Sequence, residues 1–135
     1  MRVFFDCFGK FTLLSLLAIL SSFAIGGECD NITLSAQVDL CAKEKKDSAD
    51  AKLNESYKDL ISRVRAQYEA NSELGGLYLE KLKGAQRAWL KYRDANCDLE
   101  AFEVEVGRPA QITIVNNCVA RMSEERTAYL NGVMN

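Results

Sequence analysis

Four cysteines, Cys29, Cys41, Cys97 and Cys118, lie in a stretch of chain too short to build a large core. How they pair limits what that stretch can fold into. A fifth, Cys7, belongs to a leader of a different character. Arg2 and Lys10 mark its basic part, and an uncharged run from Phe11 to Gly27 follows. Small residues then appear as Ala24-Ile25-Gly26, or two residues earlier as Ser22-Phe23-Ala24. That order of charge, apolar run and small residues is the signature of a secretory signal peptide. Residues 1–26 are therefore read as a cleaved leader and 27–135 as the mature domain. A retained anchor fits less well, because the run of 17 residues includes two glycines and a stable span takes about 20 apolar residues. Glu28 stands where lipid attachment to Cys29 would need a small residue. After cleavage the mature chain is expected to be periplasmic or secreted, with no hold on the membrane.

An even number of cysteines in a short exported chain reads as two disulfides. A metal site fits poorly: the chain has no histidine, and no two of its cysteines stand at zinc-ligand spacing. Losing Arg2 and Lys10 takes Lys+Arg from 17 to 15, and losing Asp6 takes Asp+Glu from 19 to 18, leaving a net charge of −3. No basic patch marks a nucleic-acid partner. The mild acidity suits a basic partner but is also ordinary for a soluble protein.

The mature part reads as helix throughout. From Ser35, a plausible N-cap, to about Ala70, the residues Leu53, Tyr57, Leu60, Ile61, Val64 and Tyr68 recur at three- and four-residue steps. Asn71 to Gly76 breaks that run with turn formers. A second pattern spans Leu77 to about Val106, with Leu82, Ala85 or Gln86, Trp89, Arg93 and Cys97 on one face. Gly107-Arg108-Pro109 is expected to stop it. A third covers about Ala110 to Leu130 with Ile114, Val115, Cys118, Met122, Tyr129 and Leu130, although Gln111 to Val115 is β-prone by composition. Short connections make neighbours antiparallel. The expected fold class is all-α: a small antiparallel three-helix bundle.

Turn arithmetic then bears on the cysteines. With the second turn centred near Arg108, Cys97 and Cys118 fall at the same height, so a 97–118 bridge is natural. Cys29–Cys41 would then fold the N-terminal arm onto the first helix. A 41–97 bridge would have to close about 15 Å along a helix axis. The pairing of 29–97 with 41–118 remains open on this reasoning.

Without histidine, acid–base chemistry would fall to carboxylates, Lys or Tyr. Acidic pairs such as Glu100 with Glu103 and Glu124 with Glu125 are of the kind that usually forms solvated helix surface. No glycine-rich phosphate loop or nucleophile elbow is present. The sequence thus nominates no catalytic residue and no cofactor. One polar constellation stands out. Asp50, Asn54 and Tyr57 share a face of the first helix and come level with Arg93, Asp94 and Cys97 of the second, while Arg126 comes level with Trp89. A structural network, with Arg93 pairing Asp50 and stacking near Trp89, is favoured over a site recognising carboxylate or sugar groups. Asn31-Ile32-Thr33 and Asn54-Glu55-Ser56 match the glycosylation sequon, which matters only in a eukaryotic secretory pathway.

The segment Ala85-Gln86-Arg87-Ala88-Trp89-Leu90-Lys91-Tyr92-Arg93-Asp94-Ala95-Asn96-Cys97 resembles the signature helix of the bacterial LprI-like lysozyme-inhibitor family. Ala49 to Tyr57 resembles that family's AD-x-x-LN-x-x-Y segment, and Cys41, Cys118, Arg126 and Tyr129-Leu130 fit the same pattern. The resemblance covers about residues 29–131. It implies an exported, non-enzymatic binding domain whose partner is a lysozyme of chicken, goose or invertebrate type. Asp50, Asn54, Tyr57, Gln86, Trp89, Tyr92, Arg93, Asp94, Cys97 and Arg126 occupy the family-motif positions. The family takes its name from a lipoprotein that inhibits lysozyme, while most members are uncharacterised. The alternatives are a cell-envelope structural or interaction protein without effect on lysozyme and, further off, a carboxylate hydrolase. Two departures stand out: Gly107-Arg108-Pro109-Ala110 replaces the usual Gly-Gly-Ser-like turn, and no lipobox is present.

Export and oxidation make a direct prediction. Intact-mass measurement on protein from the envelope fraction should find a chain lacking residues 1–26 and four hydrogens. A full-length chain, or thiols that react with a label, would contradict it.

Overall fold

The computed structural model describes Cys29, Ile32 and residues 34–134; the expected leader over 1–26 lies outside the described residues. Three helices follow one another: α1 (Ser35–Gln67), α2 (Ser72–Glu100) and α3 (Pro109–Gly132). There is no strand among the described residues. None of the described helices is long and apolar enough to cross a membrane. The fold is all-α, and both disulfides form as the arithmetic favoured, Cys29–Cys41 and Cys97–Cys118.

Contacts between the helices give the topology. Asp39, Asp50 and Arg63 of α1 bond Thr113, Ser123 and the Leu130 carbonyl of α3 in the same order along the chain, so these two helices run parallel. Arg93 and Gln86 of α2 meet Ser123 and Arg126 of α3 in reversed order. The bundle is up-down-up, and α1 packs most extensively on α3.

Leu53, Leu60 and Val64 of α1 close on Leu82 of α2 and Leu130 of α3 to form one buried cluster. Cys97, Cys118, Val119 and Met122 form a second one around the disulfide. Trp89 packs against both and joins them. Full burial of a leucine-sized side chain contributes about 1.5–3 kcal/mol, so these few residues dominate cohesion.

The helix ends differ from the sequence reading, for local reasons. Leu34, not Ser35, is the N-cap of α1, and its backbone N–H donates to Gln37 Oε1 at 2.9 Å. Asn71 caps α2 by accepting from the Leu74 N–H at 3.2 Å. Ser72 to Gly76, expected as a turn, therefore form the first turns of the helix. Gly75 is required there: a Cβ at that position would stand 2.8 Å from the Tyr68 Cβ. At its other end α2 stops at Glu100, short of the expected Val106, and residues 101–108 form a connection of tight turns. Gly107 serves that connection, with φ at +84°. Pro109 opens α3 at a first-turn position rather than ending α2. The β-prone run 111–115 is helical, its branched residues half-buried or exposed on a helix held by the bundle.

Arg63 has a role that its sequence position does not announce. Its Nη2 donates to the carbonyls of Leu130 and Val133 at 2.8 and 3.4 Å, placing a cation at the C-terminal end of α3.

Cys97–Cys118 closes a loop over 21 positions of sequence, and crosslinks of that span stabilise by about 3 kcal/mol. Replacing both cysteines with alanine should lower the denaturant-extrapolated stability by about that amount. An unchanged midpoint would show that the crosslink constrains nothing.

Candidate functional site

The polar constellation forms where all three helices meet. Arg93 projects from α2 into the interface, 9 % exposed. Its Nη1 donates to Asp50 Oδ1 on α1 at 2.8 Å and to Ser123 Oγ on α3 at 3.0 Å. Ser123, fully buried, donates a hydrogen bond of its own to the same Asp50 oxygen at 2.9 Å. A closed triangle of hydrogen bonds thus takes one residue from each helix. Nε and Nη2 of Arg93 both reach Asp94 Oδ1, at 2.9 and 2.8 Å. Every nitrogen of this guanidinium is engaged within the bundle, and two carboxylates balance its charge. The fork geometry suits arginine and no other cation.

Trp89 lies one turn before Arg93, whose guanidinium sits 5.5 Å from the ring centroid. A second guanidinium, that of Arg126 on α3, stands at the same distance from that ring and 4.7 Å from the ring of Tyr129. Gln86 Oε1 accepts from Arg126 Nε at 3.1 Å. Among the described residues Arg126 has no carboxylate partner. Burial lowers the pKa of this guanidinium and the nearby Tyr129 hydroxyl opposes the shift. As an arginine it is still a cation at neutral pH.

The structure therefore separates the residues singled out in the sequence. Asp50, Arg93 and Asp94 join in one network, with Trp89 beside it. Gln86 and Arg126 form a neighbouring pair on the other side of the tryptophan. Tyr57 packs instead against the apolar cluster around Leu60. Asn54 and Tyr92 are exposed and join neither group. Ser123 completes the triangle but escaped the sequence reading, because a lone serine on a helix carries no pattern of its own. No three His, Cys, Asp or Glu side chains among the described residues stand together as a metal site would require.

A family model described as "Lysozyme inhibitor LprI" matches residues 29–130. The chain belongs to the LprI family. An uncharacterised protein of Rhizobium meliloti (strain 1021) is 33% identical over 110 residues, covering 79% of this chain and 78% of that protein. A crystal structure of a DUF1311 family protein from Pseudomonas putida KT2440 superimposes with a TM-score of 0.68 at 30% identity. It covers 78% of this chain and 98% of the other. The segment Ala85–Cys97 that resembles the family's signature helix is the stretch of α2 that carries Gln86, Trp89, Arg93 and the first cysteine of the inner disulfide.

The network makes a graded prediction for stability. Arg93→Ala leaves the half-buried Asp50 without its cation and should cost about 2–3 kcal/mol, toward the low end for a buried pair. Asp94, at the solvent edge with 61% of its side chain exposed, should cost under about 1 kcal/mol when replaced by Ala. Chemical denaturation of the two variants checks the order; equal losses would contradict it.

Proposed function

We propose that this chain is an exported binding module that inhibits lysozyme by occluding its active-site cleft. The observation that carries the reading is the match of residues 29–130 to the lysozyme-inhibitor family. Two disulfides suit an oxidising compartment outside the cytosol, in line with the leader and a periplasmic or secreted location. Lysozyme acts through two carboxylates in a cleft. Blocking it takes a rigid, complementary surface and no reactive group, so the module works without catalysis.

The connection 101–108 is the surface best suited to that task. The Cys97–Cys118 crosslink holds its base. Leu99, Phe102 and Val106 stand 70, 81 and 88% exposed. Apolar side chains held in water at this level are what a partner surface covers. Glu100 and Glu105 beside them pair with Arg121 and Arg108 at 2.8 and 2.9 Å, so attraction to a basic enzyme rests on Glu103 and on the net negative charge of the chain.

A lysis assay tests this with oxidised mature protein and lysozymes of chicken, goose and invertebrate type. The expected outcome is a stoichiometric complex that slows lysis of peptidoglycan and weakens as salt is raised, since exposed charges are screened beyond about 8 Å at physiological ionic strength. Phe102→Ala should weaken inhibition about tenfold or more without lowering the melting temperature, as expected of an anchor at the centre of an interface. If micromolar protein neither binds nor slows any of the three enzymes, inhibition is wrong and an envelope-interaction role takes its place.

A further inference from the structure

At the opposite end of the bundle, a groove runs along the first turns of α2. Leu74, Leu77, Tyr78, Leu82 and Ala85 form its floor and one wall, and Leu60, Tyr129 and Val133 close it from α1 and α3. The α2 stripe from 74 to 85 extends about 16 Å at a rise of ~1.5 Å per residue, so the groove is elongated. Its volume is about 500 Å³, within the usual range for small-molecule sites. Leu74, Leu77 and Tyr129 are 47, 59 and 61% exposed, so this apolar surface faces water.

Among the described residues, Lys81 and Arg126 are the charged ones that line the groove, and no carboxylate does. Arg126 is also a preorganised cation. Gln86 holds its Nε, the rings of Trp89 and Tyr129 flank it, and its two terminal nitrogens have no acceptor among the described residues. It stands at the Ala85 end of the stripe, beside Gln86, while the Leu74–Leu77 end is apolar. A fitting ligand therefore has an anionic head and an extended apolar tail. A peptide fits less well: its amides would be buried against side chains that offer them few partners.

We propose that this groove binds a single-chain fatty acid, with the carboxylate on Arg126 and the acyl chain along α2 toward Leu74. A carboxylate on a guanidinium makes a bidentate, charge-assisted pair, and the acyl chain removes the exposed leucines from water. The site is independent of lysozyme inhibition. Leu77 lies about 34 Å along α2 from Glu100, where the 101–108 connection begins, so the two activities fail separately.

The test titrates dodecanoate, below its self-association concentration, into oxidised mature protein. Calorimetry reads the binding, and the emission of Trp89, the one tryptophan in the chain, reports on Arg126 beside it. Saturable one-to-one binding with a change in emission is expected. Dodecanol, with the same tail and no charge, should bind at least tenfold more weakly, as should dodecanoate to Arg126→Gln. Leu77→Asp, at an exposed position, should abolish binding with the melting temperature unchanged. The proposal is overturned by an absence of saturable binding, by equal affinity for dodecanol, or by full affinity in either variant. Tighter binding of a leucine-terminated peptide than of dodecanoate would overturn it as well.

Discussion

One triangle of hydrogen bonds, Arg93 to Asp50, Arg93 to Ser123 and Ser123 to Asp50, takes a residue from each of the three helices and buries two of them. Apolar packing alone would allow these helices to slide or rotate by a turn, since leucine stripes fit one another in several registers. Hydrogen bonds of this kind do not. A shift of one residue in any helix would leave Asp50 or Arg93 desolvated without its partner, at a cost of several kcal/mol. The triangle contributes little net stability relative to a well-packed apolar alternative, and its effect is to select one register. The disulfide one turn farther along α2, Cys97–Cys118, fixes the same register covalently.

That register determines what Trp89 meets. Two guanidiniums stand 5.5 Å from its ring, and two cations so placed would repel each other if both were bare. Asp50 and Asp94 neutralise Arg93, whereas Arg126 keeps its charge and, among the described residues, has only the neutral Gln86 amide as a hydrogen-bond partner. The carboxylates around Arg93 therefore do two things: they clasp the helices and allow a second cation beside the same ring. The uncompensated charge of the site ends up at the groove rather than in the core.

The helical periods were legible in the sequence because spacing survives without tertiary context; the same spacing favoured the cysteine pairs that form but left the pairing of 29–97 with 41–118 open. Leu53, Leu60 and Val64 are buried where the three- and four-residue steps put them. Arg93 and Asp50 could be matched for a similar reason: antiparallel turn arithmetic is accurate to a few residues, and a long guanidinium bridges the remainder. The helix ends were less legible. Gly75 and Gly76 read as a turn, but Asn71 supplies a cap and the close approach of Tyr68 requires a residue without a side chain at 75. Ser123 and Arg63 carried no signal, since their roles depend on which atoms of other helices come within 3 Å or so, and no period encodes that.

The inward direction of most of the motif residues, Asn54, Tyr92 and Asp94 apart, bears on what the family match can mean. Arg93, Asp50 and Trp89 fix the bundle, Gln86 positions Arg126, and Tyr57 fills the apolar cluster. A sequence pattern built on such residues identifies a scaffold, because any chain folding this way needs them whatever it binds. Discrimination among partners then falls to surfaces the pattern leaves free. Both ends of the bundle offer one: the 101–108 connection, where this chain carries Arg108-Pro109 after its left-handed glycine, and the groove beside Arg126. Changes at the connection leave the triangle untouched, because the disulfide separates the two. The fold can therefore hold its register while its ends diverge, and two proteins sharing the scaffold need not share a ligand.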